Sequence, residues 1–241
     1  MNFRASLSAA FIALLISFPA AAQDLERIKS DLKKKFPEAQ IDSTRKSGYG
    51  GLIEVIGGGE IFYTDEKTSF LLLGHLVDTK SRENVTEARL RTISAVKFDS
   101  LPLESAIKIV RGNGSRRIAM FEDPNCGYCK RFERDLQAVN DITVYVFLYP
   151  ILSPDSTVKS KAVWCAADRG KAWQDMMLKE TVPSGAATCE HPIDKIVAYG
   201  REKRISGTPT IFFEDGERVP GAMTIAAFEK RLADAKAAAK P

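Results

Sequence analysis

Apolar positions recur at helical spacing near the start of the chain. Leu25, Ile28, Leu32 and Phe36 fall on one face with charges between them, predicting a helix over 25–36 that Pro37 ends. Short β-like runs follow at 40–44, 52–56, 61–64 and 69–77. Gly48-Tyr49-Gly50-Gly51, Gly57-Gly58-Gly59 and a turn at 65–67 separate them. One helix on a small, strongly turned antiparallel sheet fits this order. The glycine triplet lacks the helix and the Lys or Ser/Thr of a phosphate loop, so it reads as a hairpin turn. Asn84-Val85-Thr86-Glu87 then marks a helix start, a capping side chain followed three residues later by a carboxylate. Leu90 and Ile93 carry its apolar face to about Val96, and Leu101-Pro102-Leu103 breaks the pattern. This predicts a helical linker over 84–105, whose helix of about eleven to thirteen residues forms a semi-rigid strut of about 16–20 Å.

The second half changes period. Strands are predicted at 107–110 and 117–122, joined by a tight turn at Gly112-Asn113-Gly114. A helix follows, with Phe132, Leu136 and Val139 on one face. The run 142–149 is almost continuously apolar and β-branched, as expected of a central strand covered on both faces. Helical stretches at 158–168, 172–179 and 192–203 precede a hairpin, 210–213 and 218–220, around Glu214-Asp215-Gly216; a last helix covers 224–238. That order resembles a thioredoxin-like α/β fold with a helical insertion.

Composition sharpens the division. All four cysteines lie after residue 125, so the first half has no thiol chemistry. A unit of that size without disulfides has a marginal core and is expected to gain burial by forming a homodimer. Met1–Arg4, an apolar run over 7–18 and Pro19-Ala20-Ala21-Ala22 read as a secretory signal peptide cleaved after Ala22. The expected location is therefore outside the cytoplasm, in oxidising surroundings. The 35 basic residues less Arg4 against 31 acidic ones give the mature chain a charge of +3. That balance is too mild to argue for nucleic acid.

The chemistry concentrates in Cys126-Gly127-Tyr128-Cys129. A Cys-x-x-Cys at a helix start exposes its first sulfur to unpaired backbone N–H groups and the positive end of the helix dipole, which favour the thiolate. A thiolate is the nucleophile of thiol–disulfide exchange. Four cysteines on one zinc would need two closely spaced pairs, and only one pair is close, so no metal is expected.

With Trp164-Cys165-Ala166, Cys189, Gly207-Thr208-Pro209 and Val219-Pro220-Gly221, the tetrad resembles the bacterial periplasmic protein-disulfide isomerases of the DsbC/DsbG type. The resemblance extends over the whole mature chain. It implies a signal peptide (1–22), a cystatin-like α+β dimerisation domain (23–83), a helical linker (84–105) and a thioredoxin-like catalytic domain (106–241). It also implies that Cys126 attacks, that Cys129 resolves the mixed disulfide and that Gly127 and Tyr128 tune the pair. Thr208 and Pro209 become a cis-proline loop that binds substrate backbone, and Cys165 and Cys189 a structural disulfide. The implied activity is disulfide isomerisation and reduction in misfolded or mis-oxidised secreted proteins. The implied electron donor is a DsbD-type membrane reductase, and no cofactor is required. Alternatives are a net oxidase or dedicated reductase of the same fold, or a holdase chaperone.

One position departs from thioredoxin itself. The buried carboxylate six residues before the first active cysteine is replaced by Met120, leaving Glu122, Asp123 or water as the proton acceptor for the resolving thiol.

Overall fold

A computed structural model describes residues 20–184 and 187–238, so the signal-peptide expectation over 1–22 falls almost wholly outside the described residues. The chain divides into two compact units, with the boundary between Leu76 and Val77.

In the first unit, helix α1 (Ala20–Lys35) is followed by strands β1 (Ser43–Lys46), β2 (Ile53–Gly57), β3 (Glu60–Thr64) and β4 (Leu72–Leu73). The sheet is antiparallel in the order β1-β2-β3-β4. Ile28 and Leu32, one turn apart on α1, pack with Ile41, Ile53 and Val55, so the predicted apolar face is the face that is buried. Gly57 pairs with Glu60, and Gly58 and Gly59 both have positive φ. This is the two-residue turn whose twist matches the flanking strands. Arg45 holds buried Glu54 on the neighbouring strand through two parallel hydrogen bonds of 2.6 and 2.5 Å.

The run 69–77, expected as one strand, pairs only at Leu72 and Leu73 with β3, and Val77 makes a single bridge to Asn84. Phe70, Leu71, Leu72 and Leu73 are all exposed, with Leu73 at 78%. Their apolar character is strand-like, but only Leu72 and Leu73 reach the sheet edge, and all four stay exposed among the described residues.

The second unit begins with α2 (Val85–Ser94), capped where predicted by the Asn84 side chain accepting from the Glu87 amide at 3.0 Å. Strands β5 (Ile107–Arg111) and β6 (Arg116–Glu122) lead to α3 (Gly127–Leu136) and β7 (Ile142–Leu148). Helices α4 (Pro154–Cys165), α5 (Arg169–Lys179) and α6 (Ile193–Glu202) form the insertion. Strands β8 (Thr210–Phe213) and β9 (Arg218–Pro220) and helix α7 (Ile225–Ala238) complete it.

The sheet order is β5-β7-β6-β8-β9, and only β6 and β7 run parallel. The tight turn at Gly112-Asn113-Gly114 therefore does not make a hairpin: β7 lies between β5 and β6. Gly112 and Gly114 have positive φ, and the Asn113 amide donates to Asp141 Oδ1 at 2.9 Å, pinning the turn to the loop before β7. A turn signal specifies a reversal of the chain but not which strand fills the gap.

Both faces of the sheet are covered. Ile118 and Met120 of β6, with Val144, Val146 and Leu148 of β7, join Phe132, Leu136, Trp173 and Phe228 on one face. Ala119, Phe121 and Phe147 point the other way, towards Ile196 and Ile205, the period-two alternation of a strand. Phe98 and Leu101 belong to this second core, and the Val96 amide donates to the Gly216 carbonyl at 3.0 Å. The later part of the stretch read as a linker is thus packed on the thioredoxin-like sheet, because its apolar residues have a face to cover. Helix α6 passes so close to the Tyr149 ring that a Cβ on Gly200 would sit 2.4 Å from it.

Candidate active site

Strand β6 ends at Glu122, and Asp123-Pro124-Asn125 turns the chain into α3. The Asp123 carboxylate secures this turn: Oδ1 accepts from the Asn125 amide at 2.8 Å, and Oδ2 from the Ile151 and Leu152 amides at 2.8 and 2.9 Å. The Asn125 side chain clasps the start of α4, donating to Ser153, Asp155 and Ser156 and accepting from Lys159 Nζ at 2.8 Å. Sequence reasoning missed this clasp, since its partners lie about thirty residues further on and are brought near only by β7.

Cys126 caps α3. Its backbone is extended, and its Sγ accepts from the Cys129 amide at 3.2 Å. The sulfur thus takes the place of a capping oxygen at the positive end of the helix. On its other side Sγ donates to the Thr208 carbonyl at 3.3 Å when protonated. The Thr208-Pro209 peptide is cis, and the Pro209 carbonyl accepts from the Gly221 amide at 2.7 Å, tying the loop to the end of β9. The Cys pair and the proline loop, 82 residues apart in sequence, therefore meet at one sulfur.

Cys126 and Cys129 are both thiols and both buried, while Tyr128 between them is 73% exposed and Gly127 opens on unoccupied space. Their acidities diverge. The Cys126 thiol is lowered from an ordinary 9.0 to about 6, chiefly by its hydrogen bond with the Cys129 side chain. The Thr208 side chain and the backbone amides of Cys129 and Tyr128 assist, against the opposing effect of burial. The Cys129 thiol is pushed far up, first by burial and then by its hydrogen bond to Cys126. One sulfur is thus ionised near neutrality while the other keeps its proton.

Two carboxyls lie beneath the pair. Glu122 is completely buried, and neither oxygen meets hydrogen-bond geometry with any partner among the described residues. Burial and the nearby charge of Glu133 hold it well above the usual carboxylate range, with Cys126 adding to the effect. Glu133, on α3, accepts from the Trp173 indole N–H at 2.9 Å and lies 3.9 Å from the Arg111 guanidinium.

Cys165 and Cys189 form a disulfide with Cα atoms 5.6 Å apart, joining the end of α4 to the segment before α6. Lys130, next to the tetrad, pairs with Glu180 at 2.7 Å, and Arg131 is exposed. Among the described residues no cluster of three His, Cys, Asp or Glu side chains could hold a metal ion, and no helix is long and apolar enough to cross a membrane.

Comparison with known proteins places both units. Residues 103–236 match the family model of a thioredoxin-like domain, and residues 19–87 that of a disulfide bond isomerase protein N-terminal domain. The chain is 47% identical over 207 residues to a probable thiol:disulfide interchange protein DsbC from Bordetella avium, covering 86% of this chain and 74% of the relative. It is 28% identical over 178 residues to the thiol:disulfide interchange protein DsbC of Escherichia coli, covering 71% and 72%. A crystal structure of a disulfide interchange protein from Neisseria gonorrhoeae superposes with a TM-score of 0.55 at 38% identity, over 56% of this chain and 99% of that one. With an N-terminal isomerase domain, a thioredoxin-like domain and a Cys-x-x-Cys pair at a helix start, the chain belongs to the DsbC family of thiol–disulfide oxidoreductases and is a disulfide isomerase.

Proposed function

We propose that Cys126 is the attacking thiolate and Cys129 the resolving thiol of a periplasmic, homodimeric isomerase acting on misfolded or mis-oxidised secreted proteins. The observation that carries this reading is the setting of Cys126 Sγ, which caps α3 and faces the cis Thr208-Pro209 loop. Its depressed pKa leaves it ionised at neutral pH.

Cys126 attacks a substrate disulfide. One substrate sulfur leaves with the bonding electron pair and the other is held in a mixed disulfide. Isomerisation follows when a substrate thiolate attacks the bond and frees Cys126. Reduction follows when Cys129 attacks Cys126 and expels the substrate. A membrane reductase of the DsbD type then restores the dithiol, and no bound cofactor enters any step. Gly127 and Tyr128 tune the pair, and Thr208 and Pro209 seat the substrate backbone. The high Cys129 pKa slows resolution and gives the substrate time to rearrange, which favours isomerisation over reduction.

The homodimer is supported by the match of the N-terminal unit to its family model and by the exposed edge at 70–73. An uncovered apolar edge strand attracts a second strand, and an identical copy is the partner that symmetry supplies. Export is supported by the signal-peptide pattern of residues 1–22.

The test is refolding of a scrambled disulfide substrate. Cys126→Ser abolishes reshuffling if the reading holds; reshuffling at the parent rate would overturn it. Cys129→Ser retains part of the isomerase activity and loses the reductase activity.

A further inference from the structure

The two buried carboxyls have no part in the scheme above. When Cys129 attacks the mixed disulfide its thiol must lose a proton, and it is fully buried. Its sulfur presents no surface from which solvent could take that proton during the attack, so a neighbouring base accepts it.

The candidates can be separated by their surroundings. Met120, at the position of thioredoxin's carboxylate, is buried and apolar. Asp123 is committed to three backbone amides that hold the active-site turn. Glu122 is different. It follows Met120 by two residues on β6, so strand alternation puts it on the same face, towards α3, where Met120 packs in one cluster with Cys126 and Cys129. Both its oxygens are buried and neither completes a well-formed hydrogen bond among the described residues, although Glu133 and Cys129 lie close enough to act on it.

We infer that Glu122 is the proton acceptor for Cys129 in the resolving step, with Glu133 as the positioning residue that governs when Glu122 is ionised. The inference rests on the reading of Cys126 and Cys129 as attacker and resolver.

The two carboxyls divide their roles by their partners. Glu133 has the Trp173 N–H at one oxygen and Arg111 near the other, so it is the better place for a negative charge. Its charge opposes ionisation of Glu122, as does the Cys126 thiolate. The groups that act on Glu122 are Glu133, Cys126 and Cys129, with Arg111 reaching it only through Glu133. In the reduced protein the site therefore carries its charge on Cys126, and Glu122 keeps its proton.

Formation of the mixed disulfide removes the Cys126 charge. The repulsion on Glu122 falls and its proton is released to solvent. Glu122 then takes the Cys129 proton as the Cys129 sulfur attacks Cys126. The Cys126–Cys129 bond forms, the Cys126–substrate bond breaks and the substrate sulfur leaves with the electron pair. In the reverse direction a donor thiolate attacks Cys126, and Cys129 departs with the electron pair and recovers the proton from Glu122.

The experiment is a stopped-flow reaction of the reduced full chain with 5,5′-dithiobis(2-nitrobenzoate) between pH 5 and 8. Attack by Cys126 releases the first thionitrobenzoate and attack by Cys129 the second. Glu122→Gln is expected to lower the ratio of second-phase to first-phase rates at least tenfold and to remove the carboxyl-dependent limb of the second-phase pH profile, the loss of a positioned general base. Glu122→Asp restores part of both. An unchanged ratio and profile in Glu122→Gln would overturn the assignment. Should Glu122→Gln not fold, Glu133→Gln decides the matter: the second-phase midpoint moves to lower pH if Glu133 governs Glu122, and a fixed midpoint overturns the inference. A first phase that survives Cys126→Ser would instead overturn the reading of Cys126.

Discussion

Consider the effect of the Cys126 acidity on rate. A thiol at about 6 is roughly nine-tenths ionised at pH 7, against about one per cent at 9.0, so roughly ninetyfold more thiolate is present. Intrinsic nucleophilicity falls with pKa at a Brønsted slope of 0.4–0.5, which over three units takes back roughly 16- to 30-fold. The net gain in attack rate at pH 7 is only about three- to sixfold, whereas at pH 5 it is roughly thirty- to sixtyfold. At neutrality the larger benefit is to departure, because a low-pKa sulfur leaves a mixed disulfide faster. That suits an isomerase, which must release its substrate as readily as it captures it.

The depressed pKa also stabilises the folded reduced form. This contribution is complete above pH 9, stands at about 1.4 kcal/mol at pH 7 and disappears as pH falls through about 6. The disulfide form has no such group, so the reduction potential is raised by about 30 mV at pH 7.

Thiolate absorbance near 240 nm and iodoacetamide alkylation, each followed from pH 4 to 9, should both give a midpoint near 6. Cys129→Ala removes the largest cause of the depression, the hydrogen bond from the Cys129 side chain, and should move the midpoint upwards while the backbone amides keep it below 9. A wild-type midpoint at 8 or above, or no rise in Cys129→Ala, would refute the reasoning.

Other consequences can be measured on the same protein. Replacing Cys165 and Cys189 together by Ala opens a loop of 25 residues and should cost about 3.5 kcal/mol. For a unit of this size that is a fall in Tm of about 7–14 °C by calorimetry, and an unchanged Tm would count against it. Glu122→Gln should stabilise the protein at neutral pH, since it removes a buried group that burial and the charge of Glu133 hold protonated against its ordinary tendency to ionise. Because the Glu122 pKa is raised, the native state loses stability as pH climbs above the ordinary carboxylate value. The advantage of the Gln variant in urea midpoint should therefore grow from pH 4 to pH 8, and a less stable variant at pH 8 would contradict it. A chain beginning at Val77 keeps Phe98 and Leu101 in the second core and should be a folded monomer that exchanges thiols but isomerises poorly. Sedimentation as a dimer would count against assembly through the first unit.

The elements that were legible in the sequence are those specified by local chemistry. The α1 face, the Gly58-Gly59 turn, the Asn84 cap and the doubly covered β7 each follow from spacing or from one residue's conformational freedom. The Gly112-Asn113-Gly114 turn is legible but the pairing of its strands is not, because β7, which comes after both in the chain, enters between them. The apolar run at 69–77 shows the same limit in reverse. Its residues have strand character, yet among the described residues only Leu72 and Leu73 find a ladder, and Phe70 and Leu71 beside them stay exposed.

The site divides along the same line. Cys126-Gly127-Tyr128-Cys129 was readable because a Cys-x-x-Cys at a helix start has one principal chemistry, and the Asn125 clasp was not, because its partners belong to α4. The carboxyl beneath Cys129 falls between these cases. Counting back from Cys126 to a fixed position finds Met120 and an apparent gap. The alternation of β6 offered a better rule: Ile118 and Met120 face α3, so the next residue on that face is Glu122, one pleat nearer the thiols. What the reaction requires is a carboxyl on that face within reach of Cys129, and a strand supplies equivalent orientations every second residue. The acid has moved along the strand by one repeat while keeping its direction, so Met120 marks a displacement of the proton acceptor rather than its loss.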